Sequence, residues 1–376
     1  MIRKAVIAID SFKGSVSSSM AGMGASNAVR QIAPDCDLIV LEIADGGEGT
    51  VSAMTAATGA TISKFDITRP LGQPVQAAVG FSADKSTAFI ETASAAGLTL
   101  VSEGQLNPML TTTFGLGTLI KKAVAKGCKR IIVGAGGSAT VAGGTGMLQA
   151  LGFRFLDRDN KPLEGNGGTL SLIRSLDSSE ALDLSGLEII VASDVDNPLC
   201  GPSGAASVFG PQKGATPRMV NDLEAGLLNL DRVATTAGYP GMTSVKGGGA
   251  AGGLSAALAI FCGAKIQSGI DTLLDIIDFD NKVTDADIVI TGEGKIDNQT
   301  LGGKAPYGIA KRSFQNGARR VVAICGTVSP DFDYTKSPFT AVFPIVQGPC
   351  SLHDAMEEET TLQNITRTVR SIISLI

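Results

Sequence analysis

The sequence is poor in the residues that build several common kinds of site. Histidine occurs once in 376 residues, as His353, which excludes most histidine-based triads and zinc sites. The six cysteines include no CxxC pair, so we expect buried free thiols rather than a cysteine metal site. No long basic run occurs and the formal net charge is −5. We therefore expect no nucleic-acid partner.

Long hydrophobic runs are also missing. No apolar stretch approaches the length that crosses a membrane, and the first nine residues lack the apolar core of a signal peptide. These absences predict a cytoplasmic protein in a reducing compartment, with no membrane partner. No GxxxxGK[ST] motif occurs either, which excludes a P-loop fold.

Glycine, in contrast, is abundant. Its 47 residues lie largely in short clusters, which predicts tight loops that approach ligands. Hydrophobic residues make up 44% of the chain and charged residues 18%, and this balance is typical of a globular protein. The length of 376 residues favours two domains.

The two ends of the chain share a pattern that the middle lacks. Both ends contain buried strands that alternate with helices, which predicts an α/β fold with a doubly wound parallel sheet. We predict a discontinuous flavodoxin-like domain at 1–65 plus 284–376 and an inserted α/β domain at 66–283. In the strand order 2-1-3-4-5, the first and third strands are neighbours, and ligands bind at their carboxyl ends. We expect the active site in a cleft between the two domains.

Acids and a lysine follow the first two predicted strands. Asp10 and Lys13 come directly after the apolar run Val6–Ile9, and Asp45 and Glu48 follow the second strand. Each group fits an ordinary strand-to-helix turn, in which Glu48 complements the helix N-terminus. Each also fits one wall of an active site.

A similar group follows the strand that opens the last part of the chain. Glu293, Lys295 and Asp297 lie in the segment TGEGKID, which we predict to be a second strand-to-helix junction. Taken alone, such a group is more often a turn than a site. Its recurrence at the predicted sheet edge strengthens the functional interpretation of both groups.

Two further acids end a predicted strand in the middle of the chain. Strand alternation would put Asp194 and Asp196 on one face, where they could hold Mg²⁺. One of them could instead accept a hydroxyl proton. The alternative is an Asx-turn before Asn197–Pro198. We favour function, because two unpaired acids would repel each other.

Two glycine-rich segments are candidates for ligand contact. The loop at Gly136, Gly137, Ser138 and Thr140 follows a strand and could cradle phosphate at a helix N-terminus. It equally fits close packing with a hydroxyl N-cap. The segment Gly247–Gly252 formally matches GxGxxG, but it follows no long strand and is a weak dinucleotide signal.

Two cations complete the candidate set. Arg69 and Lys213 each lie among glycines and prolines. A small anionic substrate needs one such bidentate or point cation. The alternative for either residue is a solvated surface charge.

Taken in order, the motifs resemble the type I glycerate kinases of bacterial glyoxylate and glucarate breakdown. The resemblance covers most of the chain, from Asp10 to beyond Lys304, and seven motifs in one order are specific. The motifs are DSFKGS, ADGGEGT, ETASAAGL, GGSAT, SDVDNPLCGPSGAASVFGPQKGA, GAAGGL and TGEGKID.

The resemblance implies ATP-dependent phosphorylation of D-glycerate to phosphoglycerate with Mg²⁺, and 2-phosphoglycerate is the favoured product. On this basis we expect Asp194 to be the general base, with Lys295 as the second catalytic residue. The expected substrate-binding residues are Asp10, Lys13, Asp45, Glu48 and Arg69. ATP phosphates are assigned to Gly136, Gly137, Ser138, Thr140 and Lys213. The metal is assigned to Asp196, Glu293 and Asp297.

The chain departs from the family pattern at two places. After GGSAT, the family usually has Asn-Asp, whereas this chain has Val141 and Ala142. Lys246–Gly247 stands where Pro-Gly is commoner. The first change removes a carboxylate from the loop, and neither change removes the other acids.

Two other functional classes remain at this point. An NAD(P)-dependent oxidoreductase acting on a small hydroxy acid would use the GxGxxG segment, although no catalytic-looking histidine accompanies it. A non-catalytic ligand-binding protein would explain the missing loop carboxylate. We expect a monomer or homodimer.

Overall fold

The computed structural model describes residues 2–44 and 50–376. The chain divides into two compact units. The first unit is Met1–Asp45 with Ile270–Ile376, and the second is Gly46–Gly269. Among the residues that the structure describes, no helix is both long enough and apolar enough to cross a membrane.

The secondary structure mixes strands and helices throughout. The strands are β1 (Lys4–Ile9), β2 (Asp37–Glu42), β3 (Thr61–Thr68), β4 (Pro74–Phe81), β5 (Thr87–Glu91), β6 (Arg130–Gly134), β7 (Arg154–Leu156), β8 (Ser175–Asp177), β9 (Glu188–Ala192), β10 (Lys265–Gln267), β11 (Ile288–Ile296), β12 (Val321–Val328) and β13 (Ala341–Pro344). The helices are α1 (Ser18–Ile32), α2 (Thr50–Thr58), α3 (Thr92–Ala96), α4 (Phe114–Ala125), α5 (Thr145–Ala150), α6 (Pro217–Thr236), α7 (Ala250–Cys262), α8 (Gly269–Ile276), α9 (Phe279–Val283), α10 (Ala305–Gln315), α11 (Leu352–Met356) and α12 (Glu358–Ser374).

The first unit contains a parallel sheet in the order β2-β1-β11-β12-β13. Residues 5–9 of β1 are fully buried, as expected for a strand whose two faces are both covered. Helix α1 packs on α12, and Gly24 of α1 faces α12, where a Cβ would lie at an ordinary contact distance of 3.6 Å from the Ile365 side chain. Ser17 caps α1 by accepting the N–H of Met20.

The second unit contains a mixed sheet in the order β10-β9-β6-β5-β4-β3. Strands β5, β6, β9 and β10 are parallel, whereas β3, β4 and β5 are antiparallel neighbours. The hairpin between β3 and β4 turns at Arg69–Gln73, where the Arg69 N–H donates to the Gln73 carbonyl. Strands β7 and β8 form a separate antiparallel pair.

The unit boundaries differ from the ranges 1–65, 66–283 and 284–376 predicted from sequence. Strand β3 pairs with β4 along its whole length, which puts residues 61–65 in the second unit. Helix α8 packs against α10 because Gly308 brings the backbone close to Ile270. That contact puts most of α8 and all of α9 in the first unit.

Candidate active site

A cavity of about 780 Å³ lies at the carboxyl ends of β1, β11, β12 and β13 in the first unit. The predicted proximity of the segments after β1 and within β11 is confirmed, because the two strands pair with Ile9 opposite Gly292. Charged groups in the lining are Asp10, Lys13, Glu293, Lys295, Asp297 and Lys304. The cavity therefore brings together five residues that the sequence predicted and one that it did not.

A tight turn after β1 presents Lys13 to solvent. The N–H of Phe12 donates to the Val16 carbonyl and the N–H of Ser15 donates to the Phe12 carbonyl. Gly14 has φ +80°, and a Cβ there would lie 2.8 Å from Met356 Cε, so the turn requires glycine. Asp10 is only 6% exposed, and its carboxylate accepts the Ser11 N–H at 2.7 Å.

Glu293 and Lys295 lie on a strand and not in the predicted turn. Strand β11 continues through Ile296, because Lys295 and Ile296 still pair with residues of β12. Residues two apart on a strand share one face, so Glu293 and Lys295 both face the cavity that they line. Gly294 between them faces the turn after β1, where a Cβ would lie 3.6 Å from the Lys13 nitrogen.

Two acids and two lysines form a cluster at the end of β11. The Lys304 Nζ lies 3.9 Å from Glu293 Oε2 and 3.7 Å from Asp297 Oδ1. The Lys295 Nζ lies 3.8 Å from Asp297 Oδ2. The Thr300 hydroxyl donates to Glu293 Oε1 at 2.6 Å. The lysines of the cluster can bind an anionic ligand, and its carboxylate oxygens can bind a cation.

Sequence reasoning missed Lys304. It is the N-cap residue of α10 and follows Gly303, which has φ +114°. Its side chain is 33% exposed and reaches back over the end of β11. The sequence did contain a signal for this position, because Lys304 lies between two glycines and the proline that marks a helix start.

The cluster at the end of β11 fits the coordination chemistry of Mg²⁺. Its donors are the carboxylate oxygens of Glu293 and Asp297 and the Thr300 hydroxyl, and hard divalent cations prefer oxygen ligands. The two carboxylates already share one cation, the Lys304 ammonium. Asp196 fits less well, because its side chain is 80% exposed and lies 3.4 Å from the Lys246 Nζ.

The second unit contains a fully buried lysine. Lys213 is 3% exposed, and its Nζ donates to Ser138 Oγ at 2.8 Å and to the Thr140 carbonyl at 2.7 Å. Burial lowers the pKa of Lys213 to about 7. The amine thus lies beneath the Gly136–Thr140 loop and links Ser138 to Thr140.

Two glycine-rich segments of the second unit pack on each other. The Gly143 N–H donates to the Gly252 carbonyl at 3.0 Å. A Cβ on Gly252 would lie 1.9 Å from the Thr140 carbonyl oxygen. Ala251, Gly252 and Gly253 all have positive φ, a conformation that costs non-glycine residues energy. The segment Gly247–Gly253 therefore supports the Gly136–Thr140 loop by backbone contact.

The Gly136–Thr140 loop is not the start of a helix, contrary to both sequence interpretations of it. Helix α5 begins at Thr145 and its N-cap residue is Gly144. Ser138 instead forms an isolated bridge with Gly97 after a turn at residues 136–137. Val141 and Ala142 are fully buried in the second unit.

Asp194 and Asp196 occupy different environments. Strand β9 ends at Ala192, so strand alternation does not apply to these two acids. Asp194 Oδ1 accepts the Gly269 N–H at 2.9 Å, within the second unit. Asp196 is exposed. The structure therefore singles out Asp194 as the acid held in place by backbone.

The other predicted binding residues lie elsewhere. Arg69 is in the β3–β4 turn, where its Nε donates to the Gln73 side chain at 2.9 Å. Asp45 and Glu48 lie outside the described residues. Their assignments to substrate stay predictions.

Comparison with known proteins gives one consistent result. A model of the glycerate kinase family matches residues 5–376. A glycerate kinase from Bacillus subtilis (strain 168) is 43% identical over 376 residues, with 99% of this chain and 97% of the relative covered. A glycerate 2-kinase from Escherichia coli (strain K12) is 40% identical over 372 residues, with 98% and 97% covered.

A solved structure agrees with these relatives. The crystal structure of a Salmonella typhimurium LT2 protein, provisionally designated glycerate kinase 2, has a TM-score of 0.86 and 41% identity. The match covers 100% of this chain and 98% of that one. The chain is thus an enzyme, and its class is kinase. It belongs to the glycerate kinase family, and the oxidoreductase alternative is not favoured.

Proposed function

We propose that the enzyme transfers the γ-phosphoryl group of ATP to D-glycerate and forms 2-phosphoglycerate. The observation that carries the proposal is the cluster of Lys295, Lys304, Glu293 and Asp297 at the end of β11. Phosphoryl transfer depends mainly on positioning and charge neutralisation, and these side chains supply both signs of charge. Similarity to a glycerate 2-kinase supports transfer to O2.

The metal assignment follows from the donor oxygens of the same cluster. Glu293 and Asp297 would hold Mg²⁺, and the Thr300 hydroxyl keeps the Glu293 carboxylate in place. Bound Mg²⁺ would neutralise charge on the phosphate oxygens. Lys295 and Lys304 lie beside the two carboxylates and would bind the remaining phosphate charge. Asp196 is the weaker member of the predicted metal set.

Asp194 is the proposed general base for the attacking hydroxyl. The Gly269 N–H orients its carboxylate through Oδ1, which is the kind of support that a positioned base needs. Arg69 is the candidate partner of the glycerate carboxylate, because Lys13 lines the cavity of the first unit together with Lys295 and Lys304. The strand order of the first unit supports its assignment as a flavodoxin-like domain.

An ADP-release assay with D-glycerate, ATP and Mg²⁺ tests the reaction. We expect ADP formation that requires all three components, and phosphorus NMR should show the phosphate on O2. ADP formed equally without glycerate would contradict the proposed substrate. Phosphate on O3 would contradict only the proposed site of transfer on glycerate, and not the kinase reaction. A change in NAD(P)H absorbance with glycerate or hydroxypyruvate would instead support the oxidoreductase.

A further inference from the structure

The cavity at the carboxyl ends of the first unit's sheet has an apolar part that a small polar acid does not need. Its lining includes Phe12, Ile345, Val346, Leu352 and Met356. Glycerate is polar at every carbon, so these side chains offer it little beyond shape. The cavity volume of about 780 Å³ lies within the range for ligands much larger than glycerate.

Part of the apolar lining comes from a different strand than the charged groups do. The charged residues follow β1 or lie in and after β11, whereas Ile345 and Val346 follow the edge strand β13. Three strand spacings separate β1 from β13 in the order β13-β12-β11-β1, which corresponds to about 14 Å. The cavity therefore spans several strand ends, with the charged groups at β1 and β11 and with Ile345 and Val346 at the β13 edge.

An exposed leucine extends the apolar part. Leu352 is 76% exposed although it lines the cavity, and it begins the short helix α11. Ile345 is 1% exposed and lines the same cavity, where it forms a fixed apolar surface. A flat, weakly polar ring between these aliphatic groups would remove the Leu352 side chain from water.

We infer that this cavity binds the adenine nucleotide, with the base on the apolar wall and the phosphates on Lys13, Lys295 and Lys304. The inference rests on the proposed kinase function and differs from the sequence prediction, which put the ATP phosphates on Gly136–Thr140 and Lys213. Lys213 is buried and holds that loop from beneath, whereas Lys295 is 59% exposed at the cavity. The strand-end location agrees with the usual ligand position in open parallel sheets.

A native cysteine provides a direct test. Cys350 lines the cavity and is exposed, and the other five cysteines are buried or half-buried. Burial raises the pKa of each of those five thiols, so a bulky maleimide should label Cys350 first. The labelling rate would be measured in the wild-type enzyme with no ligand, with ADP, and with D-glycerate, using Cys350→Ser to assign the labelled site.

We expect ADP at ten times its Kd to slow Cys350 labelling about tenfold, since about a tenth of the protein remains free. D-glycerate alone should leave the rate unchanged. Protection by D-glycerate and not by ADP would overturn the inference in favour of a substrate cavity. Protection by neither would overturn it as well.

A pair of leucine variants provides the second measurement. Leu352→Ala should weaken ADP binding about fivefold in calorimetry, because part of the apolar contact is lost, with the KM for D-glycerate unchanged. Leu228→Ala is the matched control, since Leu228 is 50% exposed on α6 and outside the cavity. Equal ADP affinity in both variants would contradict the base position. If ADP protects Cys350 but the wild-type enzyme releases no ADP in response to D-glycerate, the nucleotide site stands and only the proposed kinase reaction is refuted.

Discussion

The two candidate regions of this enzyme are built in opposite ways. The cavity of the first unit takes most of its charges from strand ends and Lys304 from the start of α10, and Lys295 and Lys304 remain 59% and 33% exposed. The loop region of the second unit contains a lysine that is 3% exposed and is held by the Ser138 hydroxyl and the Thr140 carbonyl. Exposed lysines can bind a ligand directly. The buried lysine acts by holding a loop.

The largest expected effect is that of replacing Asp194. This replacement tests whether a residue of the second unit takes part in the reaction. Asp194→Asn should lower kcat about 10²- to 10⁴-fold, because a general base loses its proton acceptor. Asp159→Asn, at an exposed acid of the same unit, is the control. The measurement is ADP release beside a thermal unfolding curve. Turnover near normal in a folded Asp194→Asn protein would remove the base assignment.

Gly252→Ala tests the backbone contact that supports the loop of the second unit. The new Cβ would meet the Thr140 carbonyl at 1.9 Å with φ at +68°, so we expect a loss of about 3 kcal/mol in unfolding free energy. Gly263→Ala is the matched control, since Gly263 has φ +66° and no atom within 4 Å of its Cβ position. It should lose only about 1–2 kcal/mol.

Equal losses in urea unfolding of the two glycine variants would show that backbone strain alone, and not the contact with Thr140, sets the cost.

Lys304→Met tests the cavity of the first unit. Loss of the cation shared by Glu293 and Asp297 should lower kcat/KM about 10- to 100-fold, because charge on the phosphates is no longer balanced. Lys311→Met, at an exposed position of α10, should remain active. If the two variants have the same kcat/KM, Lys304 has no part in the reaction.

The last expected effect is the pH dependence that Lys213 contributes to stability. Its pKa is lowered to about 7, so between about pH 7 and pH 10 the unfolded chain holds a proton that the folded protein has released. Stability therefore rises with pH in this window, by at most about 1.4 kcal/mol per unit, and is flat below it. Urea unfolding of wild type and Lys213→Met at pH 7, 8 and 9 measures the difference.

A wild-type stability curve parallel to that of Lys213→Met from pH 7 to pH 9 would mean that the buried amine remains protonated throughout. The difference between Lys295, which is exposed and can bind a ligand, and Lys213, which is buried and holds a loop, would then rest on their positions alone and not on their protonation.

Residues at strand ends were predictable from the sequence, and residues brought in by loops were not. Asp10, Lys13 and Glu293 could be placed at one sheet edge, because buried parallel strands align their carboxyl ends. Lys304 and Leu352 reach the same cavity from helix starts, which a strand pattern does not position. The mutual packing of the segments around Gly143 and Gly252 depends on contacts more than 100 residues apart.

The sequence by itself determined the mixed α/β class, the family and the strand ends where charge accumulates, because hydrophobic periodicity and ordered motifs are local properties of the chain. Only the tertiary structure decided that β11 runs on through Glu293 and Lys295, that Lys304 joins them, and that Lys213 is buried. Those outcomes depend on pairing with β12, on the start of α10 and on the glycine loops. Each is a long-range contact whose free energy no short stretch of sequence contains.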